Sequence, residues 1–266
     1  MKLKFLGLVI LLIVFACKEE KKSPVESVDY TQEELDITTS IYPENITKVF
    51  DAHGGLQTWS KMKSLEFTMP KPEGDEITIT DLKNRKSLIK MPKHSIGYNG
   101  NDVWLQSVDT TSYKGKPKFY YNLMFYFYAM PFVLADDGIN YEETQPLDFE
   151  GVSYPGIKVS YENGVGASPE DEYIMYYHPE SHKMTWLAYT VTYFTKEKAK
   201  EFHFIKYSDW QTVNGVVLPK QLDWYNYENN LPTTKRNEVK FTNVILTEDA
   251  PNPSIFEIPE GAKIVE

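Results

Sequence analysis

From Leu65 onward the chain alternates apolar and polar positions at the two-residue period of half-buried strands. Ile77-Thr78-Ile79-Thr80 and Ile157-Lys158-Val159-Ser160-Tyr161 show the alternation cleanly. Turn chemistry separates the runs. Asn99-Gly100 lies between Ile96–Tyr98 and Val103–Leu105, and Asn214-Gly215 lies between Phe202–Trp210 and Val216–Tyr227. Asn-Gly between strand-like runs predicts a hairpin, since both residues tolerate the positive φ that tight turns demand. His178-Pro179-Glu180-Ser181-His182, bounded by Tyr173–Tyr177 and Met184–Phe194, reads as a further hairpin loop. Strands at this spacing predict a large, mostly antiparallel sheet rather than repeating βαβ units. In the strand expected to run to Phe194, Trp186, Ala188 and Phe194 share one face, while Leu187, Tyr189, Val191 and Tyr193 share the other. A strand apolar on both sides needs cover on both sides, which a curved sheet wrapped around an inserted helix supplies.

Helical periodicity is confined to two places. Near Tyr42-Pro43, Ile46, Val49 and Phe50 fall on one helical face and Glu44 sits in the first turn, where a negative charge is favoured. His53-Gly54-Gly55 ends that helix, with His53 readable as a capping side chain or a ligand. Leu56, Trp59 and Met62 suggest a second short helix before a strand over Ser64–Met69. The other place is Phe119–Leu134, apolar except at Asn122 and Pro131, with eight aromatic residues in sixteen. Pro117 suits a helix start, Met130-Pro131 should end or bend it, and Ala135-Asp136-Asp137-Gly138 marks the exit. Either this is a central core helix, or it is a plug in the mouth of a half-open barrel whose aromatic side also meets an apolar ligand. On the second account Phe119, Tyr120, Leu123, Met124 and Phe127 line the ligand site, joined by Trp186 from the sheet.

The amino terminus has a different pattern. Lys2 and Lys4 precede an apolar run from Phe5 to Ala16, too short to span a bilayer, and the run ends at Cys17, the chain's one cysteine. A basic start, a short apolar core and a small residue before the cut describe a signal peptide over residues 1–16. Val14-Phe15-Ala16-Cys17 resembles a bacterial lipobox, which implies acylation of Cys17 and a membrane anchor. Residues 17–40 then form a charged, flexible tether, and 41–266 a single domain. Cys17-Lys18-Glu19-Glu20 resembles a signal that exports some lipoproteins to the outer surface of the outer membrane. The expected address is therefore the cell envelope, as an outer-membrane lipoprotein facing the periplasm or the surface.

Charge narrows the partners. The chain carries a net −10, and losing Lys2 and Lys4 makes the mature protein more acidic still. That balance argues against nucleic acid, whose binders concentrate Lys and Arg. With Cys17 acylated, no thiol is left for a disulfide, a nucleophile or a metal. His178 and His182 are four apart, but Pro179 argues against a helix that would align them, and Asp136-Asp137 also fit an ordinary helix exit. The expectation is a protein without catalytic residues, metal or cofactor, whose partners are a lipid or other apolar small molecule and, through the anchor, a membrane. A surface module for glycans or proteins, with Trp224-Tyr225-Asn226-Tyr227-Glu228-Asn229-Asn230 as its platform, is the alternative; an enzyme is a more distant third.

An anchored start, a helical opening, many curved strands and an inserted apolar helix together resemble the LolA/LolB-like lipoprotein-carrier fold. More narrowly, His53-Gly54-Gly55-Leu56-Gln57-Thr58-Trp59, Tyr126–Asp136 and Asn214-Gly215-Val216-Val217-Leu218-Pro219 resemble an uncharacterised lipoprotein family associated with that fold. The resemblance spans Tyr42 to Ile258 and implies an incomplete antiparallel barrel, closed by helices, whose concave face holds acyl chains. The implied fold class is mainly β (α+β), with N-terminal helices and the apolar helix in the concave face.

Overall fold

The computed structural model describes residues 41–108, 110, 112–161, 171–194, 199 and 201–265. The expected signal peptide, Cys17 and the tether lie outside the described residues. Among those described, no helix is long and apolar enough to cross a membrane.

Two seven-stranded antiparallel sheets make up most of the structure. The first comprises β1 (Ser64–Met69), β2 (Glu76–Asp81), β3 (Ser87–Lys90), β4 (His94–Tyr98), β5 (Val103–Ser107), β13 (Thr242–Thr247) and β14 (Lys263–Ile264), in the order β13-β1-β2-β3-β4-β5-β14. The second is an unbroken meander from β6 (Ile139–Phe149) through β7 (Val152–Tyr161), β8 (Tyr173–Tyr177), β9 (Met184–Tyr189), β10 (His203–Val213) and β11 (Val216–Glu228) to β12 (Leu231–Lys240). One residue, Phe241, separates β12 from β13, and β6 and β14 stand at opposite ends of the order, so the arrangement is not a closed barrel. The expected fold class holds: mainly β, open, with few helices.

The predicted hairpins form where their turn residues lie. Asn214 and Gly215 take φ of 46° and 82° between β10 and β11, and the Asn214 side chain donates to the Leu246 carbonyl at 2.5 Å. The Asn99 side-chain oxygen accepts the N–H groups of Asn101 and Asp102 in the β4–β5 turn. Asp209 takes φ of 58° and interrupts the β10–β11 pairing without shifting its register. Ile205 and Tyr207 before it and Trp210 after it all pack on the same core.

That core lies between the inner faces of the two sheets. Leu65, Phe67 and Met69 of β1 meet Ile205 and Tyr207 of β10 and Leu218 and Leu222 of β11, with helical residues packed among them. The opening helix α1 (Glu44–Ala52) contributes Ile46, Val49 and Phe50, as its periodicity predicts. A short α2 (Leu56–Lys61) follows. The outer face of the first sheet is covered by a C-terminal 3-10 turn, whose Phe256 packs on Ile79, Leu88 and Trp104. Gly97 is required there, since a Cβ at that position would stand 2.1 Å from the Trp104 ring.

Two expectations need correction. The apolar segment is not one helix but three short pieces: α3 (Pro117–Tyr120), α4 (Leu123–Tyr128) and a 3-10 turn over Phe132–Ala135. Asn122 takes φ −131° and ψ 0°, outside the helical region, and Met130-Pro131 is a cis peptide. Asn competes for backbone partners and clustered aromatics lose rotamer freedom in a helix, so the segment breaks at its two interruptions. The strand expected to reach Phe194 ends at Tyr189. Beyond it, the Thr192 N–H turns to the Asp171 carboxylate at 2.6 Å, and Phe194 is 53% exposed.

Candidate functional site

The three segments His53–Trp59, Tyr126–Asp136 and Asn214–Pro219 converge in space. His53 is fully buried. Its Nδ1 lies 3.0 Å from the Val217 carbonyl, and its backbone carbonyl accepts the Val217 N–H at 2.9 Å. Its Nε2 accepts the Met184 N–H at 3.0 Å. Gly54 rests on the Gly215 backbone, and Trp59 stacks on Phe132 at 4.7 Å and 9°. This junction fastens α1, the end of the apolar segment and the β10–β11 turn together. Both His53 ring nitrogens are occupied by backbone, which gives it a structural role.

The apolar segment packs against the core between the two sheets. Phe119 is half-buried, with its ring 5.0 Å from Tyr193 and 4.9 Å from Phe194. The Lys116 ammonium sits 4.6 Å from the Phe194 ring. Tyr120 donates its hydroxyl to Glu76 at 2.7 Å, and Lys71 reaches the other oxygen of that buried carboxylate at 2.5 Å. Burial, reinforced by Glu76, pushes the Tyr120 hydroxyl far above its ordinary pKa, so it remains a donor. Leu123 is half-buried, whereas Met124 and Phe127 turn into the core. Phe127 packs 5.0 Å from Tyr189 and 6.0 Å from Trp224, and its carbonyl accepts the buried Tyr207 hydroxyl at 2.8 Å.

Trp186 is not brought to this segment. It lies on the outer face of the second sheet, enclosed by Phe149 at 4.7 Å, Tyr225 at 4.8 Å and the Lys206 ammonium at 5.3 Å. The strand's alternation identified the two faces, but not which of them looks inward.

Beneath the junction of α3 and α4 is a cavity of about 140 Å³, lined by Thr80, Arg85, Ser87, Tyr98, Tyr121, Asn122, Phe125 and Tyr126. These residues differ from the expected set. Asn122, a polar interruption of the apolar run, is the signal in the sequence that marks the place. β2 contributes Thr80 to the lining, and Glu76, Thr78 and Thr80 follow one another on its inner face at the strand period, all but fully buried. The Ile77–Thr80 alternation is therefore real, but it puts the threonines under the aromatic segment and Ile79 under the C-terminal turn. Arg85 comes from the β2–β3 turn, held by an Asp81 side chain that accepts the N–H groups of Lys83 and Asn84. Its Nη2 pairs with Asp136 at 2.5 Å, and its guanidinium lies 5.2 Å from the Phe125 ring. Burial raises the Asp136 pKa despite Arg85, and burial also raises those of Tyr121 and Tyr126. Three polar atoms here are buried without a hydrogen-bond partner: Thr78 Oγ1, Thr80 Oγ1 and Arg85 Nη1.

The His178 Nδ1 accepts the Glu180 and Ser181 N–H groups within its hairpin loop, and His182 stacks on Tyr177. Among the described residues no group of three or more His, Cys, Asp or Glu could hold a metal ion.

Comparison with known proteins gives one family. The group described as a family of unknown function, DUF6503, matches residues 98–244, more than half of the chain. No curated protein matches it in sequence. Among solved structures the chain is similar to a LolA superfamily protein from Nitrosomonas europaea (9% identity, TM-score 0.43, covering 74% of this chain and 89% of that one). It is also similar to a DUF1329 family protein from Desulfovibrio piger (9% identity, TM-score 0.45, 81% and 98% covered).

Proposed function

Since the chain belongs to DUF6503, a family whose function is unknown, we propose its role from the molecule itself: a non-catalytic envelope lipoprotein that holds an apolar ligand at the aromatic segment of its concave face. The observation that carries this reading is the cavity under α3 and α4, beside a segment that is only partly sealed. Phe119, Leu123 and Tyr126 are half-buried, and Phe119 opens onto the exposed Phe194. Phe119, Tyr120 and Leu123 are the ligand-facing residues in this reading, and Met124 and Phe127 form the packed support behind them. Cys17 carries the acyl anchor and residues 17–40 the tether, which keeps the domain at an outer membrane.

Native mass spectrometry of the full chain carrying Cys17→Ser, followed by organic extraction, tests the proposal. A stoichiometric apolar compound, weakened by Leu123→Gln in a chain with unchanged melting, supports it. A clean mass that ignores added fatty acids and phospholipids rejects it.

A second reading is a surface module on the outer face of the second sheet. Tyr225 and Tyr227 point outward there, whereas Trp224 faces the core and donates to the Tyr189 hydroxyl. The Trp224–Asn230 platform therefore loses its tryptophan, and half-buried Phe149 and Tyr225, with Lys206 over the Phe149 ring, form the aromatic surface there. Saturable glycan binding with no bound lipid favours this reading.

A further inference from the structure

We propose that the cavity beneath the α3–α4 junction is a carboxylate-binding site, and that it takes the head group of the ligand. This rests on the proposed apolar-ligand function and adds the chemical class of the ligand.

The lining is built for an acceptor. Arg85 Nη1 and Thr80 Oγ1 are buried without partners and both belong to residues that line the cavity. Thr80 is 2% exposed, so its hydroxyl has no ready access to bulk water. A buried donor left unsatisfied is costly, and native interiors leave few of them. Two in one cavity, one of them on a guanidinium, call for an oxygen ligand. Asp136 already occupies Nη2, which leaves the Nη1 side of the fork for a second carboxylate oxygen. The hydroxyls of Tyr121 and Tyr126 are kept protonated and add further donors around the cavity.

Size separates head from tail. A cavity of about 150 Å³ in another protein accommodates a benzene-sized guest, so this one holds a carboxylate and its first carbons but not an acyl chain. The chain must leave past the half-buried side of α4, where Leu123 and Tyr126, three residues apart, share one face. Arg85 stacked on Phe125 places charge and apolar surface side by side, as an amphiphile requires.

Isothermal titration of the full chain carrying Cys17→Ser, with sodium decanoate, methyl decanoate and sodium acetate, tests this. Decanoate is expected to bind at least about tenfold more tightly than its methyl ester, a preference that Arg85→Gln and Thr80→Val each reduce by about tenfold. Thr80→Val retains the shape of the side chain, so it tests the site even where Arg85→Gln fails to fold. Equal binding of acid and ester, unaffected by Thr80→Val, overturns the carboxylate site and leaves the apolar-ligand function standing. Acetate binding that Thr80→Val weakens, with neither decyl compound bound, supports the site but rejects the apolar ligand. No binding by any of the three overturns both.

Discussion

The Nε2 atom of His53 accepts the backbone N–H of Met184 at 3.0 Å, across 131 residues of sequence. Acceptance at Nε2 requires the proton on Nδ1, where it is donated to the Val217 carbonyl. The ring is thus neutral, and burial pushes its pKa down to about 4. An unfolded histidine titrates near 6.5. Between those values the unfolded chain binds the extra proton and the native one does not, so stability falls as pH falls. From pH 7 to 4.5 the loss from this residue is about 2–3 kcal/mol. Urea unfolding at both pH values should show it, and His53→Gln should flatten the slope while lowering stability at pH 7.

Gly54 has φ of 101°, and a Cβ there would stand 2.1 Å from the Gly215 carbonyl oxygen, a backbone atom with little room to move. Gly54→Ala is expected to cost more than about 3 kcal/mol. Gly151, with φ of 81° but nothing within 4 Å of its would-be Cβ, supplies the control. Gly151→Ala meets only backbone strain and should cost about 1 kcal/mol. Comparing the two denaturation midpoints separates collision from conformation.

Thr78 buries a hydroxyl without a partner on the inner face of β2. Valine keeps the shape and removes the unsatisfied group. Thr78→Val should therefore stabilise the ligand-free chain by about 1 kcal/mol, read as a rise in melting temperature. A fall would mean that the hydroxyl is satisfied by ordered water.

Tyr120 fastens α3 to β2 through its hydrogen bond to the Glu76 carboxylate. Tyr120→Phe keeps the ring and should cost about 1.5–3 kcal/mol, the range for a hydrogen bond to a charged group. The loss should be accompanied by faster amide exchange in Pro117–Tyr120 while β1 remains protected. Uniform loss of protection would place the effect on global unfolding instead.

Much of the fold was legible because strands and turns are written locally. Asn214-Gly215 specified its own turn, the apolar spacing of Ile46, Val49 and Phe50 specified α1, and Ser64–Met69 alternates as the strand it forms. The candidate site was less legible. Asn122 marked the break in the apolar segment, yet Arg85 and Thr80, some 40 residues earlier, carry no local sign that they meet it.

The sequence by itself determined the strand-rich, antiparallel character of this protein, its turns, and the unusual aromatic segment, since each depends on period and backbone preference within a few residues. Only the tertiary structure decided which face of each strand looks inward. Alternation is symmetric between the two faces, and the packing of α1 and the aromatic segment against one of them breaks that symmetry. That choice sent Trp186 outward and buried Thr78 and Thr80 under the aromatic segment. It also set an arginine from a surface turn beside them, because long-range packing, not local propensity, selects which polar groups share a cavity.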